Sequence, residues 1–303
     1  MKEGSLRLGI DLGGSKIEII ALDRKGKVLL QRRVPTPQRD YHATLQAIVE
    51  LVKAAEAGLG KQGKVGIGVP GSLSPATGLM RNANSTCLNG QPLKHDIEAL
   101  LKRPVAVTND ANCFALSEAT DGAGKDAASV FAVIIGTGTG AGIVINHKIL
   151  DGCNGIAGEW GHNPLPWPKT DEIPGPQCWC GLNSCIETWL SGSGLARDYY
   201  QEAGEEKTAA EIVLAAEAGE KVAEKVLQRY ENRLARALAH IINVLDPEMI
   251  VLGGGLSNMQ RLYKNVPEQW DEYVFSDCVN TQLLPPVFGD SSGVRGAAWL
   301  GQH

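Results

Sequence analysis

Between Gly158 and Glu187 the chain reads GEWGHNPLPWPKTDEIPGPQCWCGLNSCIE, a segment that places one imidazole, His162, ahead of three thiols, Cys178, Cys180 and Cys185. One nitrogen and three sulfurs suit a tetrahedral structural zinc ion, whose four positions are then filled and leave none for catalysis. The Cys-x-Cys spacing is tighter than the common Cys-x-x-Cys, so a set of reduced thiols without metal is the competing reading. A second chemistry is written in glycine. DLGGS at 11–15 and GTGTG at 136–140 can bring backbone N–H groups close to phosphate oxygens, because glycine has no Cβ in the way and a tight turn of amides makes a concave anion site. Neither loop is followed by the Lys-Ser/Thr of a Walker sequence, and neither has the G-x-G-x-x-G lead into a helix of a dinucleotide fold. Glycines also simply turn hairpins. Two such loops in matching positions, with Gly253, Gly254 and Gly255 after a third strand, favour nucleotide binding.

The elements that must position these residues follow from period and punctuation. LRLGIDL and KIEIIAL alternate as half-buried strands and turn on Gly13 and Gly14. From Thr44 to Ala57 the apolar residues fall on one helical face. VGIGVPG and PVAVTND are short apolar runs that end in turn residues, as buried strands facing a cleft do, and a helix is expected from Ala111 to Ala119. The run SVFAVIIGTGTGAGIVIN repeats the opening strand, glycine turn, strand, which suggests a duplicated domain. Helical pattern then runs from Ala209 to Leu245, and MIVLGGG is a strand beyond Pro247. Strands alternating with helices give an α/β fold whose ligands gather at strand ends or between domains.

Composition limits the functions. A chain of 303 residues with formal charge -5 has room for two domains and lacks the excess of Lys and Arg that nucleic-acid binding needs. The first residues are not a signal peptide and no apolar run is long enough to span a membrane, so a cytoplasmic protein with no membrane partner is expected. There, seven cysteines are reduced thiols or metal ligands rather than disulfides.

GIDLGGSK, GVPGS, TNDANC, IIGTGTGAG, GEWGHNP, CWCGLNSCIE and VLGGGLSN, in this order and spacing, resemble the motif set of the ROK family of bacterial sugar kinases and sugar-responsive repressors over essentially the whole chain. Within the family, NANSTCLNGQP, AGEWGHNPLPW and the terminal GDSSGVRGAAWL look most like the fructokinases. The resemblance implies the actin-like ATPase (ribonuclease H-like) fold, with two α/β domains around a central cleft. It divides the chain into a smaller domain over 1–118 and a larger one with the zinc loop over 119–290, and a C-terminal helix at about 291–303 packs back on the first. A homodimer, ATP, Mg²⁺ and structural Zn²⁺ are implied as well.

The resemblance also assigns roles. Asp110 becomes the base that takes the proton of the attacking sugar hydroxyl, although its local sequence fits a helix N-cap equally. Asp11 orients Mg²⁺, and Gly13, Gly14, Ser15 and Lys16 face Gly136, Thr137, Gly138 and Thr139 across the phosphates. Adenine is expected near Gly253, Gly254 and Gly255. Asn84, Asn109, Asp110, Glu159, His162 and Glu187 form the sugar-binding set, whose amides, carboxylates and imidazole match hydroxyls that both donate and accept. One nitrogen of His162 reaches the sugar while the other holds zinc with Cys178, Cys180 and Cys185. Two positions depart from the family pattern: Ser184 stands where glycine is usual, and Cys87 where tryptophan often stands.

The expected function is an ATP-dependent hexose kinase, with D-fructose phosphorylated at its 6-hydroxyl. N-acetylglucosamine, glucose and mannose are alternative acceptors. A sugar-sensing regulator without catalysis is the other class, and a repressor needs a helix-turn-helix ahead of the sugar domain. The first phosphate-loop strand starts within ten residues, which favours the kinase.

Overall fold

The computed structural model describes residues 6–83 and 85–300. Its first half contains β1 (Leu6–Leu12), β2 (Lys16–Leu22), β3 (Val28–Pro35), α1 (Tyr41–Leu59), β4 (Gly63–Val69), a small hairpin of β5 (Ser72–Leu73) and β6 (Met80–Arg81), α2 (Leu93–Leu101), β7 (Ala106–Asn109) and α3 (Asp110–Thr120). The second half contains β8 (Ser129–Ile135), β9 (Thr139–Ile145), β10 (Lys148–Ile149), α4 (Ile186–Leu190), α5 (Gly192–Ala203), α6 (Ala209–Glu217), α7 (Lys221–Leu245), β11 (Met249–Gly253), α8 (Leu262–Asn265), β12 (Gln282–Leu284) and α9 (Ser292–Trp299).

The two principal sheets have one plan. The first runs β3-β2-β1-β4-β7 and the second β10-β9-β8-β11-β12. In each, an antiparallel hairpin adjoins two parallel strands, so the repeat seen in the sequence extends to strand order. Because β1, β4 and β7 are parallel, their C-terminal ends lie together, and Asp11, Val69 and Asn109 sit at one edge of the sheet. The parallel pairing of β8 with β11 likewise sets Gly253 opposite Ile134, two residues before Gly136. Ligand sites in open α/β sheets form at such ends.

Helices α3 and α9 bind the sheets to one another. A Cβ added to Gly142 of β9 would come within 2.6 Å of Ala111 O, and one on Gly296 of α9 within 1.7 Å of Cys113 O. Helix α9 also lies directly on the first sheet, where Cβ atoms at Gly9 and Gly66 would meet Val294 O and Ala297 O at 2.1 and 2.0 Å. Only glycine permits backbones to approach this closely. Polar groups lock the arrangement: Arg295 of α9 donates to both carboxylate oxygens of Asp121 and to Gly26 O at 2.7 Å, and buried Glu118 accepts from Ser292 Oγ at 2.8 Å.

Most predicted elements form, while α2, α5 and β12 among others go unpredicted, and three differences have a clear physical reason. The helical pattern from Ala209 to Leu245 is two helices, because Gly219 takes φ +90° between them and a capping box of Thr208 and Glu211 starts the first. Helix α3 begins one residue earlier than expected, with Asn109 as its N-cap. Strand β3 has no counterpart in the sequence reading: it is a largely exposed edge strand, VLLQRRVP, in which apolar and polar residues fall in blocks rather than alternating.

Candidate active site

Asp11 near the end of β1 and Asp110 just beyond β7 flank the C-terminal end of β4, and the charge of Asp110 is felt at Asp11. Burial is the main cause that raises the Asp11 pKa to about 6, and the charges of Asp110 and Glu18 raise it further. Glu18 lies opposite Asp11 in the hairpin register, fully buried and paired with Arg33 at 2.8 Å. Gly293, in the first turn of α9, leaves room beside the Asp11 carboxyl, since a Cβ there would lie 4.0 Å from its Cγ.

Asp110 is reached by solvent from the cleft but closely surrounded by protein. Burial pushes its pKa up, the Ala111 N–H opposes this, and the charge of Glu159 adds to the rise. The same N–H is shared: it donates to Asp110 Oδ1 at 2.8 Å and to Asn109 Oδ1 at 2.7 Å. Capping of α3 therefore falls mainly to Asn109, and the second oxygen of Asp110 is left for other work. The GTGTG loop is adjacent, because a Cβ on Gly140 would be 3.7 Å from Ala111 Cβ. Asn109 also donates to Gly71 O at 3.0 Å, and with Glu159 it lines a cavity of about 210 Å³. Asn84 lies outside the described residues.

Glu187 lies between the cysteine segment and the GTGTG loop. Its Oε2 accepts from Thr139 N at 3.0 Å and its Oε1 from the Trp179 indole at 2.7 Å, so both oxygens are engaged within the chain. Gly138 is glycine for this contact, since a Cβ would sit 2.7 Å from Glu187 Oε2. The residue thereby couples the cysteine segment to the phosphate loop, which is held from its other side by Gly192 N donating to Gly136 O at 2.7 Å.

His162, Cys178, Cys180 and Cys185 converge, with one ligand atom from each lying within 4.8 Å of the others. His162 Nδ1 is 3.7 Å from Cys178 Sγ, and Cys180 Sγ is 3.6 Å from Cys185 Sγ. A tetrahedral zinc ion with bonds of about 2.0–2.3 Å holds its donors about 3.4–3.8 Å apart, so the set fits. The backbone N–H of Leu182 leads in lowering the Cys180 thiol to about 7, while burial and the neighbouring sulfurs push Cys185 up to about 12. Ser184 has φ +62°, a conformation that glycine takes without strain, which explains the glycine usual in the family at this position. Beyond the metal cluster, Glu172 anchors the same segment to α7 by accepting from Arg233 Nε at 2.8 Å and Arg236 Nη2 at 2.7 Å.

The second domain carries a groove of about 1130 Å³ beside the phosphate loop. Gly136, Thr137 and Gly255 line it, and Gly253 and Gly254 are closely packed, since their Cβ atoms would fall 2.5 Å from the Phe114 ring and 2.5 Å from Ile135 O. The rest of the groove comes from α5, α6 and the turn after β11, through Ala196, Val213, Leu214 and Met259. Sequence reading missed these residues. Their signal is Leu214, apolar and 63% exposed on a helix whose other face is already buried through Ile212.

A sequence profile of the ROK family matches residues 7–303. An N-acetyl-D-glucosamine kinase from Vibrio atlanticus (strain LGP32) is 41% identical over 296 residues, which cover 96% of this chain and 98% of that protein. One from Pectobacterium atrosepticum is 40% identical, with 96% and 97% covered. Among solved structures, a ROK hexokinase from Thermus thermophilus superposes with a TM-score of 0.87 at 30% identity, over 98% of this chain and 97% of that one. A ROK family glucokinase from Streptomyces griseus, in complex with glucose and AMPPNP, gives 0.78 at 28% identity, over 98% and 99%. The expected architecture, two α/β domains of the actin-like ATPase type, is therefore the one this chain has. The likeness to fructokinases is not what these relatives bear out. One of its supports, GDSSGVRGAAWL, forms the turn before α9 and α9 itself, where Gly296 is required by packing against Cys113 O. No helix among the described residues is long and apolar enough to cross a membrane.

Asp11 yields a stability prediction. Its folded pKa of about 6 lies above the ordinary 3.8, so the native state binds the proton more readily than the unfolded chain and loses stability as pH rises from about 4 through 6. A shift of about two units corresponds to roughly 3 kcal/mol at most. Asp11→Asn is expected to stabilise the metal-free protein by roughly 1–3 kcal/mol at pH 7.5, with the gain vanishing near pH 4. Denaturant melts at the two pH values check this; a variant less stable than the parent at pH 7.5 contradicts the assigned repulsion.

Proposed function

The chain belongs to the ROK family and is a sugar kinase, a phosphotransferase with an alcohol acceptor, and on that premise we propose how it uses its cleft and which sugar it takes. The observation that carries the reading is the placement of Asp110 beside both the GTGTG loop and the polar cavity with Asn109 and Glu159. ATP lies with its adenosine in the groove lined by Gly255, Leu214 and Met259, and its phosphates meet amides of Gly136–Thr139 from one side and Gly13–Lys16 from the other. Mg²⁺, when bound, neutralises charge on the phosphates, and Asp11 is the carboxylate positioned to orient it. That role accounts for a carboxylate kept in a site that disfavours its charge.

Asp110 accepts the proton of the attacking hydroxyl as the new P–O bond forms and the γ-phosphoryl bond to ADP breaks. Its raised pKa makes it a better proton acceptor than an ordinary aspartate. Asn109, Glu159, His162 and, by family likeness, Asn84 hold the other hydroxyls, so that binding energy from remote groups orients the reacting one. Glu187 joins them, since each of its carboxylate oxygens accepts one bond within the chain and can accept another from a sugar hydroxyl. A structural zinc ion held by His162, Cys178, Cys180 and Cys185 completes the reading, as does a homodimer. N-acetyl-D-glucosamine is the favoured acceptor, on the strength of the relatives at 40–41% identity. D-fructose remains the second acceptor to test, on the strength of NANSTCLNGQP and AGEWGHNPLPW.

ADP release coupled to a spectroscopic readout, with N-acetylglucosamine, fructose, glucose and mannose in parallel, tests the proposal. Asp110→Asn is expected to lower kcat by about 10²- to 10⁴-fold while changing the KM for ATP little. Activity with every sugar at the level of the variant would overturn the base assignment and favour a sugar-binding regulator. Native mass spectrometry is expected to find one zinc ion per chain, lost in Cys180→Ser. Chelation should raise the KM for sugar more than that for ATP, and an equal rise in both would contradict a local role for the metal.

A further inference from the structure

The cavity that holds Asn109 and Glu159 is built from both halves of the chain. Ser72 and Pro75, in the β5–β6 hairpin of the first half, line it together with Gly155 and Ile156, in the segment between β10 and Glu159 of the second. Arg81 of β6 joins these two walls. Its Nε donates to Ser72 Oγ at 3.2 Å, while its Nη2 donates to Asn154 O at 2.6 Å and lies 3.5 Å from Gly155 O. Gly155 takes φ +61°, and a Cβ there would lie 3.1 Å from Pro75 Cγ and 3.6 Å from Arg81 Nη2, so the walls meet closely where a glycine stands. The segment that Arg81 reaches is anchored behind this point: Cβ atoms on Gly158 and Gly161 would meet Ala141 O and Thr139 O of β9 at 2.3 and 2.2 Å. Ahead of the anchor the chain folds on itself, with Gly155 N donating to Gly152 O at 3.1 Å, Ala157 N to Asp151 O at 3.2 Å and Glu159 N to Ile156 O at 3.2 Å. These short-range turns carry Glu159 at their end, so a shift of Asn154 and Gly155 is passed on to a residue of the sugar-binding set.

We propose that Arg81 is a positioning residue for the acceptor sugar: by fastening Ser72 to the carbonyls of Asn154 and Gly155, it holds the two walls and Glu159 at the spacing in which one hexose meets both halves of the chain. The inference rests on the sugar-kinase reading and adds to it a residue that does not itself line the cavity. A charged donor binds a carbonyl more strongly than a neutral one does, and the fork of a guanidinium lets a single side chain serve both walls at once. An ammonium group is a point charge and lacks that fork. Walls held together also keep water from the γ-phosphorus of ATP. Where they part, water attacks in place of the sugar hydroxyl, and the products are ADP and inorganic phosphate.

Arg81→Met removes every donor at nearly constant length, and Arg81→Lys keeps a charge that reaches one wall at a time. Both variants, checked for folding by their melting temperatures, are compared with the parent in three ways: steady-state kinetics with N-acetyl-D-glucosamine, D-glucose, D-mannose and D-fructose, the share of ATP turnover that ends in inorganic phosphate when sugar is present, and hydrogen exchange over residues 150–160 with and without sugar. Arg81→Met is expected to raise the KM for the best sugar about tenfold, to leave the KM for ATP within about twofold, and to raise the phosphate share about fivefold or more. Sugar is expected to slow exchange over residues 150–160 in the parent and to lose that effect in Arg81→Met, with Arg81→Lys falling between the two. A sugar KM that is unchanged in Arg81→Met overturns the inference, as does an equal rise in the KM values for sugar and ATP, which marks a general loss of structure. A parent protein that phosphorylates none of the four sugars instead sinks the kinase reading, and the inference with it.

Discussion

Two carboxylates, Asp11 and Asp110, stand in surroundings that disfavour their charge, and neither forms an ion pair among the described residues. Each raises the other's pKa or is raised by further carboxylates nearby, Glu18 for Asp11 and Glu159 for Asp110. Such an arrangement is unfavourable in the empty protein and is held by everything around it. A divalent cation and a proton-donating hydroxyl are the partners that relieve it, one for each carboxylate. The chemistry of phosphoryl transfer to an alcohol requires those same partners.

What holds the pair is close backbone packing. Gly9, Gly66 and Gly296 let α9 lie against the first sheet and α3, and Gly142 lets α3 lie against the second sheet. Asp110 is thereby carried on a helix that touches both halves, while Asp11 ends a strand covered by α9. The bonds of Arg295 to Asp121 and of Ser292 to Glu118 fix the two helices relative to each other. On the far side of the cleft, Glu187 ties the cysteine segment to Thr139, so the His–Cys cluster, the GTGTG loop and α5 form one connected support. Loss of order in any of these parts would be felt at the loop that faces the phosphates.

The sequence makes visible what depends on local pattern. Alternation in LRLGIDL and KIEIIAL, and the glycine turns between paired strands, place both hairpins correctly, because period two and a glycine turn are sufficient for a hairpin. The convergence of His162 with three cysteines is legible for a similar reason: few arrangements explain four soft ligands in a turn-rich segment. Features made by approach of distant elements are not legible. Nothing near Gly253 or Gly254 in the sequence says that Phe114 and Ile135 O press on them. The large groove beside Gly136 draws on α5 and α6, whose apolar residues look like ordinary core. The bonds by which Glu187 also ties Thr139 N and the Trp179 indole together are visible only in the fold.

The central claim is that the crowded carboxylates exist for transfer of a phosphoryl group to a sugar hydroxyl. ³¹P NMR of the protein with Mg²⁺, ATP and N-acetyl-D-glucosamine or D-fructose observes the transfer itself. The account predicts that the γ-phosphorus signal of ATP declines while ADP and a sugar phosphomonoester, split by the protons of its carbon, grow in equal amounts. A γ-signal that declines only into inorganic phosphate, or that does not decline with any hexose, would contradict it.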